Sequence, residues 1–161
     1  LSLALVDTEI WSFAKKKPER RRFRSKAYFE RFLKMHEAAS SFFVNEFPKI
    51  TVLMTLHQLS EIFHVLAFRG TRLPVEQAKE IVKAILTDES IIKVPVSQSD
   101  LEAAIDESLD SGIHVWDFLC FLPIKDEVEI VYSCDKHFQD KAFEKYGVKV
   151  VNPLPFWIEA E

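Results

Sequence analysis

Glycine is scarce in this chain of 161 residues, occurring only as Gly70, Gly112 and Gly147, at spacings of 42 and 35. A Rossmann G-x-G-x-x-G, a Walker G-x-x-x-x-G-K and a G-x-S-x-G nucleophile elbow each need glycines a few residues apart, so all three are excluded. Cysteine is equally rare. Cys120 and Cys134 lie 14 apart and make neither a C-x-x-C pair nor a disulfide framework, which suits a reducing compartment. Long apolar runs are absent as well. Leu3 to Val6 has no basic leader and falls far short of the roughly 20 residues of a membrane span. The expectation is a cytoplasmic protein with no membrane partner.

What is present is the composition of a folded chain, 48% hydrophobic and 29% charged, at a length that suits one domain over residues 1–161. The net charge of −4 conceals a split. Residues 15–26 hold eight basic side chains (Lys15, Lys16, Lys17, Arg20, Arg21, Arg22, Arg24, Lys26) against Glu19, a local +7 that leaves −11 on the remainder. Most of the surface should therefore repel a polyanion while one stretch attracts it. The plain alternative is a solvated charged face.

The apolar pattern divides the chain into alternating short strands and helices. Leu3 to Val6 reads as a buried strand, and a helix capped by Thr8 should follow to about Lys16. From Pro18 to Phe47, Phe23, Ala27, Phe32, Met35, Ala39, Phe42 and Phe43 mark one long amphipathic helix or two. Ile50 to Met54 fits a strand or the lead-in to a helix bearing Leu59, Ile62 and Leu66. Pro74 starts another helix, to about Thr87, and Ile91 to Val96 reads as a strand. Ser99 should cap a helix with Leu101, Ala104, Ile105 and Leu109 on its apolar side and Glu102, Asp106, Glu107 and Asp110 as solubilising acids. A helix over about His114 to Leu122, a strand at Glu129 to Tyr132, a helix from about Lys136 to Tyr146 and a strand at Val148 to Val151 complete the chain. Strands separated by helices imply βαβ crossovers, hence a three-layer α/β/α fold around a central, mainly parallel sheet.

Ligands in such folds gather beyond the carboxyl ends of the strands. Asp7 and Asp135 each follow a strand there, although an aspartate at such a junction is also a good helix cap. Asp117, in His-Val-Trp-Asp-Phe-Leu, and Glu61, in Leu-Ser-Glu-Ile-Phe-His, are acids within apolar helices. A buried carboxylate needs a partner, and no basic residue lies within a helical turn of either, so the partner is a distant side chain or a metal ion.

This ordered set (Leu-Val-Asp7, Leu-Ser-Glu61-Ile, Val-Trp-Asp117-Phe-Leu and Tyr-Ser133-Cys-Asp135) resembles PIN domains from residue 3 to about 151, in particular archaeal PIN-domain proteins and the VapC toxins of toxin–antitoxin pairs. The resemblance implies a Mg2+- or Mn2+-dependent endoribonuclease. Asp7, Glu61, Asp117 and Asp135 would be the metal-binding and catalytic acids, and Ser133, where Thr is usual, would hydrogen-bond a carboxylate or bound water. It also implies an RNA substrate, a small antitoxin occupying the acidic cleft, and a homodimer. The stretch between Asp7 and Glu61 is longer than in compact members, and its Lys15, Lys16, Lys17, Arg20, Arg21 and Arg22 are RNA-binding candidates.

Competing readings rest on single motifs. His57, Glu61 and His64 share a helical face and include one E-x-x-H, but a di-iron bundle needs two copies and a zinc protease needs H-E-x-x-H. Cys120 and Cys134 read as buried structural thiols, while His114 and His137, near Asp117 and Asp135, and Lys136 could touch a phosphate but fit surface or packing roles better. A non-catalytic PIN-like module that binds RNA or protein is the alternative function.

Overall fold

The short strands carry apolar side chains on successive residues, so both of their faces must be covered. Leu5 packs into one core and Val6 into the other, and Leu53 is separated in the same way from Val52 and Met54. A computed structural model describes residues 1–159 of this chain. It runs β1 (Ser2–Val6), α1 (Thr8–Lys15), α2 (Lys26–Asn45), β2 (Ile50–Thr55), α3 (Leu56–Phe68), α4 (Val75–Thr87), β3 (Ile91–Val94), α5 (Gln98–Ser111), α6 (Val115–Phe121), β4 (Ile130–Tyr132), α7 (Lys141–Glu144) and β5 (Lys149–Val151).

All strand pairs are parallel, in the order β3-β2-β1-β4-β5. The first core, with Ile10, Trp11, Phe42, Ile62 and Leu66, covers one face of the sheet, and the second, with Phe118, Phe121, Phe138 and Phe143, covers the other. This is the expected three-layer α/β/α arrangement. Chain progression turns back at β1: β2 and β3 lie to one side of it, β4 and β5 to the other. The crevice between the carboxyl ends of β1 and β4 is thus the switch point at which parallel sheets bind ligands. Among the described residues, no helix is long and apolar enough to cross a membrane.

Several local expectations need correction. The cap of α1 is Asp7, whose side chain accepts the Thr8 N–H, and not Thr8. The cap of α5 is Ser97, two residues before Ser99, in a reciprocal box with Asp100. The helix expected from Lys136 to Tyr146 is a 3-10 turn, Lys136–Gln139, followed by α7, because Asp140 is extended and caps the second segment. The basic stretch Arg20–Arg22 is a 3-10 turn that precedes α2.

The orientation of α5 departs furthest from its sequence pattern. Leu101, Ile105 and Leu109 are 44%, 53% and 81% exposed, while Ala104 is buried. Polar bonds override the apolar stripe here: Ser108 Oγ donates to the Ile113 carbonyl at 2.6 Å, and Glu107 accepts from Lys145 Nζ at 2.6 Å and from Tyr146 Oη at 3.0 Å. Glu107 therefore anchors the helix and is not merely solubilising. Gly112 ends α5 with φ +74°, a left-handed conformation that a side chain would strain.

Phe143 is fully buried, with the rings of Phe118, Phe121 and Phe138 at 4.8, 5.6 and 4.6 Å. Phe143→Ala should lower stability by about 3–5 kcal/mol in urea titration, whereas Leu109→Ala should change it by less than about 0.5 kcal/mol. Equal losses would show that Leu109 is covered in solution.

Candidate active site

The last carbonyl of β1, that of Val6, accepts from buried Gln58 Nε2 at 2.6 Å and from Trp11 Nε1 at 3.2 Å. The next residue, Asp7, extends the ladder by donating its N–H to the Tyr132 carbonyl at 2.9 Å. Its carboxylate is divided between two tasks. Oδ1 accepts the Thr8 N–H at 2.9 Å, and Oδ2 accepts the Ser133 hydroxyl at 2.7 Å. Ser133 Oγ in turn accepts the Asp135 N–H at 2.9 Å, so one fully buried hydroxyl ties the end of β1 to the segment that follows β4. Asp135 Oδ1 accepts the His137 N–H at 2.9 Å and caps the turn. Capping and cleft-facing placement, which the sequence offered as alternatives, coexist at both aspartates.

Asp117 enters from the first turn of α6, where the helix dipole favours a carboxylate. Its partner is His137, whose Nδ1 lies 2.9 Å from Asp117 Oδ2 and 3.5 Å from Asp135 Oδ1. His137 is therefore a member of the site and not a surface or packing residue. Its pKa is raised, first by the hydrogen bond to Asp117. Glu61 reaches in from α3, with His57 Nε2 3.8 Å from its Oε2.

Asp7, Glu61, Asp117 and Asp135 all line one cleft of about 30 Å³, room for one or two waters or a small ion on the order of the smallest hydrated cavities. Arg69, His114 and Trp116 line it too. So does Glu9, which the sequence reading missed. Nothing in an acid two residues after Asp7 on an ordinary surface-type helix marks it as inward-facing. Burial first, then the charges of Glu61 and Asp135, raise the Glu9 pKa to about 7, against the pull of Lys16 and Arg69. Asp7 is also raised, by burial and then by Asp117, with the Ser133 hydrogen bond opposing and Asp135 and Glu61 adding to the rise.

The donor chemistry suits a hard cation. The Asp117, Asp135 and His137 ligand atoms lie within 4.8 Å of one another, and the carboxylates of Asp7 and Glu61 open into the same space. Thr8 Oγ1, buried on the cleft wall, has no hydrogen-bond partner. Cys134 and Cys120 are buried, and their thiols are raised above the ordinary range chiefly by that burial.

The basic run divides on inspection. Lys16 Nζ donates to the carbonyls of Val65 at 2.6 Å and Arg69 at 2.8 Å, so its charge closes the end of α3 and is not available to RNA. Arg21 and Arg22 both pair with Glu19 at the surface, and Arg20 donates to the Phe23 carbonyl. Lys15, Lys17 and the three arginines are exposed.

Sheet order and the switch-point crevice are those of a three-layer, PIN-like α/β/α fold. Three solved structures are similar to this chain over nearly its whole length. VapC20 of Mycobacterium tuberculosis, a Sarcin-Ricin loop cleaving toxin, is 19% identical with a TM-score of 0.64 over 93% of this chain and 99% of that one. VapBC2 from Rickettsia felis, bound to a DNA fragment from its promoter, is 15% identical with a TM-score of 0.51 over 93% and 98%. FitAB bound to an IR36 DNA fragment is 13% identical with a TM-score of 0.50 over 98% of each chain. No protein-family model matches the sequence, and neither does any curated protein.

Two substitutions should act in opposite directions on the protein kept in EDTA. Asp7→Asn relieves a buried charge and its repulsion while keeping an oxygen for the Thr8 N–H, so its melting temperature should rise. Ser133→Ala strips a buried carboxylate and the Asp135 N–H of a partner and should cost about 1–3 kcal/mol. A lower melting temperature for Asp7→Asn would show that repulsion at this carboxylate is not a net strain.

Proposed function

We propose that this protein is a Mg2+- or Mn2+-dependent endoribonuclease, the cytoplasmic toxin of a toxin–antitoxin pair. One observation carries the reading: carboxylates from four separated segments share a single cleft at the switch point of the sheet. The shared fold with VapC20, a Sarcin-Ricin loop cleaving toxin, and with VapBC2 supports it.

Asp7, Glu61, Asp117 and Asp135 would hold the divalent cation as hard oxygen ligands. The bound ion supplies Lewis-acid stabilisation for the charge that builds on a phosphodiester during in-line displacement. Ser133 fixes the spacing of Asp7 and Asp135 by bonding to both, as a second-layer group that orients ligands. His137 does the same for Asp117 and Asp135. Arg69 adds positive charge to a cleft wall that otherwise repels a phosphate.

Lys15 closes the eight-residue α1, which spans roughly 12 Å at 1.5 Å per residue, and Lys17 and Arg20 to Arg22 follow it, so they stand within a few nucleotides of Asp7. Their part is to hold the RNA backbone, with affinity falling as salt rises. A small antitoxin segment, carrying its own positive charge, is the partner that would occupy the acidic cleft.

The test is cleavage of structured RNA with and without Mn2+ by the parent protein, Asp7→Asn and Asp117→Asn. The parent should cut only with the ion, and each variant should lose at least about 100-fold. Equal cleavage in all samples refutes the site, and binding without cleavage favours a non-catalytic PIN-like module.

A further inference from the structure

The face of α3 that delivers Glu61 to the cleft carries a second set of donors. His57 precedes Glu61 by one helical turn, and its Nε2 is buried, without a hydrogen-bond partner, 3.8 Å from Glu61 Oε2. Cys120 faces them from α6, one turn after Asp117 and 1% exposed. Ligand atoms of His57, Glu61 and Cys120 all lie within 4.8 Å of one another. Two of the three distinguish this cluster from the acidic quartet: an imidazole and a thiol are donors for a borderline cation, not for magnesium.

The geometry points to a zinc site formed by His57, Glu61 and Cys120, which competes with the acidic cleft for Glu61, so that Zn2+ inhibits the nuclease. Tetrahedral zinc, with bonds of roughly 2.0 Å to nitrogen and oxygen and 2.3 Å to sulfur, holds its ligand atoms roughly 3.3–3.7 Å apart. Small side-chain rotations would close the present separations to that range. The imidazole is already oriented. Trp116 packs in a T-shaped contact with the His57 ring at 5.5 Å, and Nε2 is buried beside the Glu61 carboxylate. Three protein ligands leave a fourth position for water. His64, the other half of the E-x-x-H, is not part of the set: its ring packs against Phe68 and Trp116 at 5.9 and 6.0 Å.

Coordination would displace the Cys120 proton to solvent, since the thiolate is the ligand. A thiolate and an imidazole beside one carboxylate make a donor set that favours thiophilic ions. Mn2+ and Mg2+ have little affinity for such a donor set and would leave Glu61 to the cleft.

The inhibitory consequence rests on the ribonuclease reading, but the metal site does not, and the experiment separates them. Cobalt, added to the metal-free full chain, reports sulfur ligation by a near-ultraviolet charge-transfer band and four-coordination by its visible spectrum. The parent and Cys134→Ala should show the band at one equivalent and lose it on addition of Zn2+. Cys120→Ala should lack it, as should the closer-volume Cys120→Val if the alanine variant fails to fold, and His57→Gln should bind at least about tenfold more weakly.

No sulfur band in a folded parent, or a band that survives loss of Cys120, overturns the site. In the Mn2+-driven cleavage assay, Zn2+ should slow the parent at least tenfold and spare Cys120→Ala. Equal zinc sensitivity in both, or stimulation by zinc, overturns the competition. A parent that shows the cobalt band but never cuts RNA leaves the zinc site standing and removes the nuclease reading instead.

Discussion

Carboxylates that repel one another are held in a space with room for little more than one or two waters, and much of the surrounding structure opposes that repulsion. The restraint is mostly backbone. Asp7 sits at the end of a central strand whose last carbonyl accepts two side-chain donors, and whose next N–H is paired to β4. Asp135 is fixed by the Ser133 hydroxyl and by a bridge to Ile158, with the Ile158 N–H on Cys134 and the Lys136 N–H on Ile158. Neither carboxylate can retreat without breaking the backbone pairing at the strand end that carries it. The net effect is a site whose unfavourable charge is locked in by packing elsewhere and is available for a cation to relieve.

Legibility of the fold followed the strength of the local signal. Strands such as Leu-Ala-Leu-Val and Ile-Val-Tyr were plain because both faces are buried, which makes the run continuous, and the alternation with helices required parallel order. Helix α5 was misread in orientation because periodicity registers apolar residues and not the bonds that set rotation. Glu107 is held by Lys145 and Tyr146 just past α7, Ser108 by the Ile113 carbonyl past the helix end, and Leu101, Ile105 and Leu109 are left outside. The break at Asp140 escaped for a related reason, since an aspartate inside an apolar pattern does not announce whether it caps or merely faces water.

At the site, four acids were legible as an ordered set with a hydroxyl two residues before the last, and the fold brings all four to one cleft. What could not be read were groups whose role depends on direction. His137 lies two residues past Asp135, yet only the turn that Asp135 caps aims its ring at Asp117. Glu9 looks like a surface acid of a short helix until α3 is packed beside it. Lys16 looks like one more charge in a basic run, whereas a reach to the carbonyls of Val65 and Arg69 makes it a clasp between α1 and α3. Sequence gives the identity of a donor, while long-range packing gives the direction in which it points.

That clasp matters for how the charge is laid out. Lys16 and Arg69 draw the Glu9 pKa down while Glu61 and Asp135 push it up, so both cations belong electrostatically to the cleft although only Arg69 lines it. The remaining positive charge of the run lies at and past the end of α1, exposed and partly balanced by Glu19. A polyanion approaching this protein therefore meets an attractive strip beside a repulsive cleft, and the two are joined by a helix only two turns long. Such a gradient holds a backbone near the acids but draws no phosphate into them unless a cation has first reversed the sign of the cleft. Under the nuclease reading proposed above, a divalent ion would thus be a condition for engagement of the substrate as well as for chemistry, held by the same carboxylates that otherwise repel a phosphate.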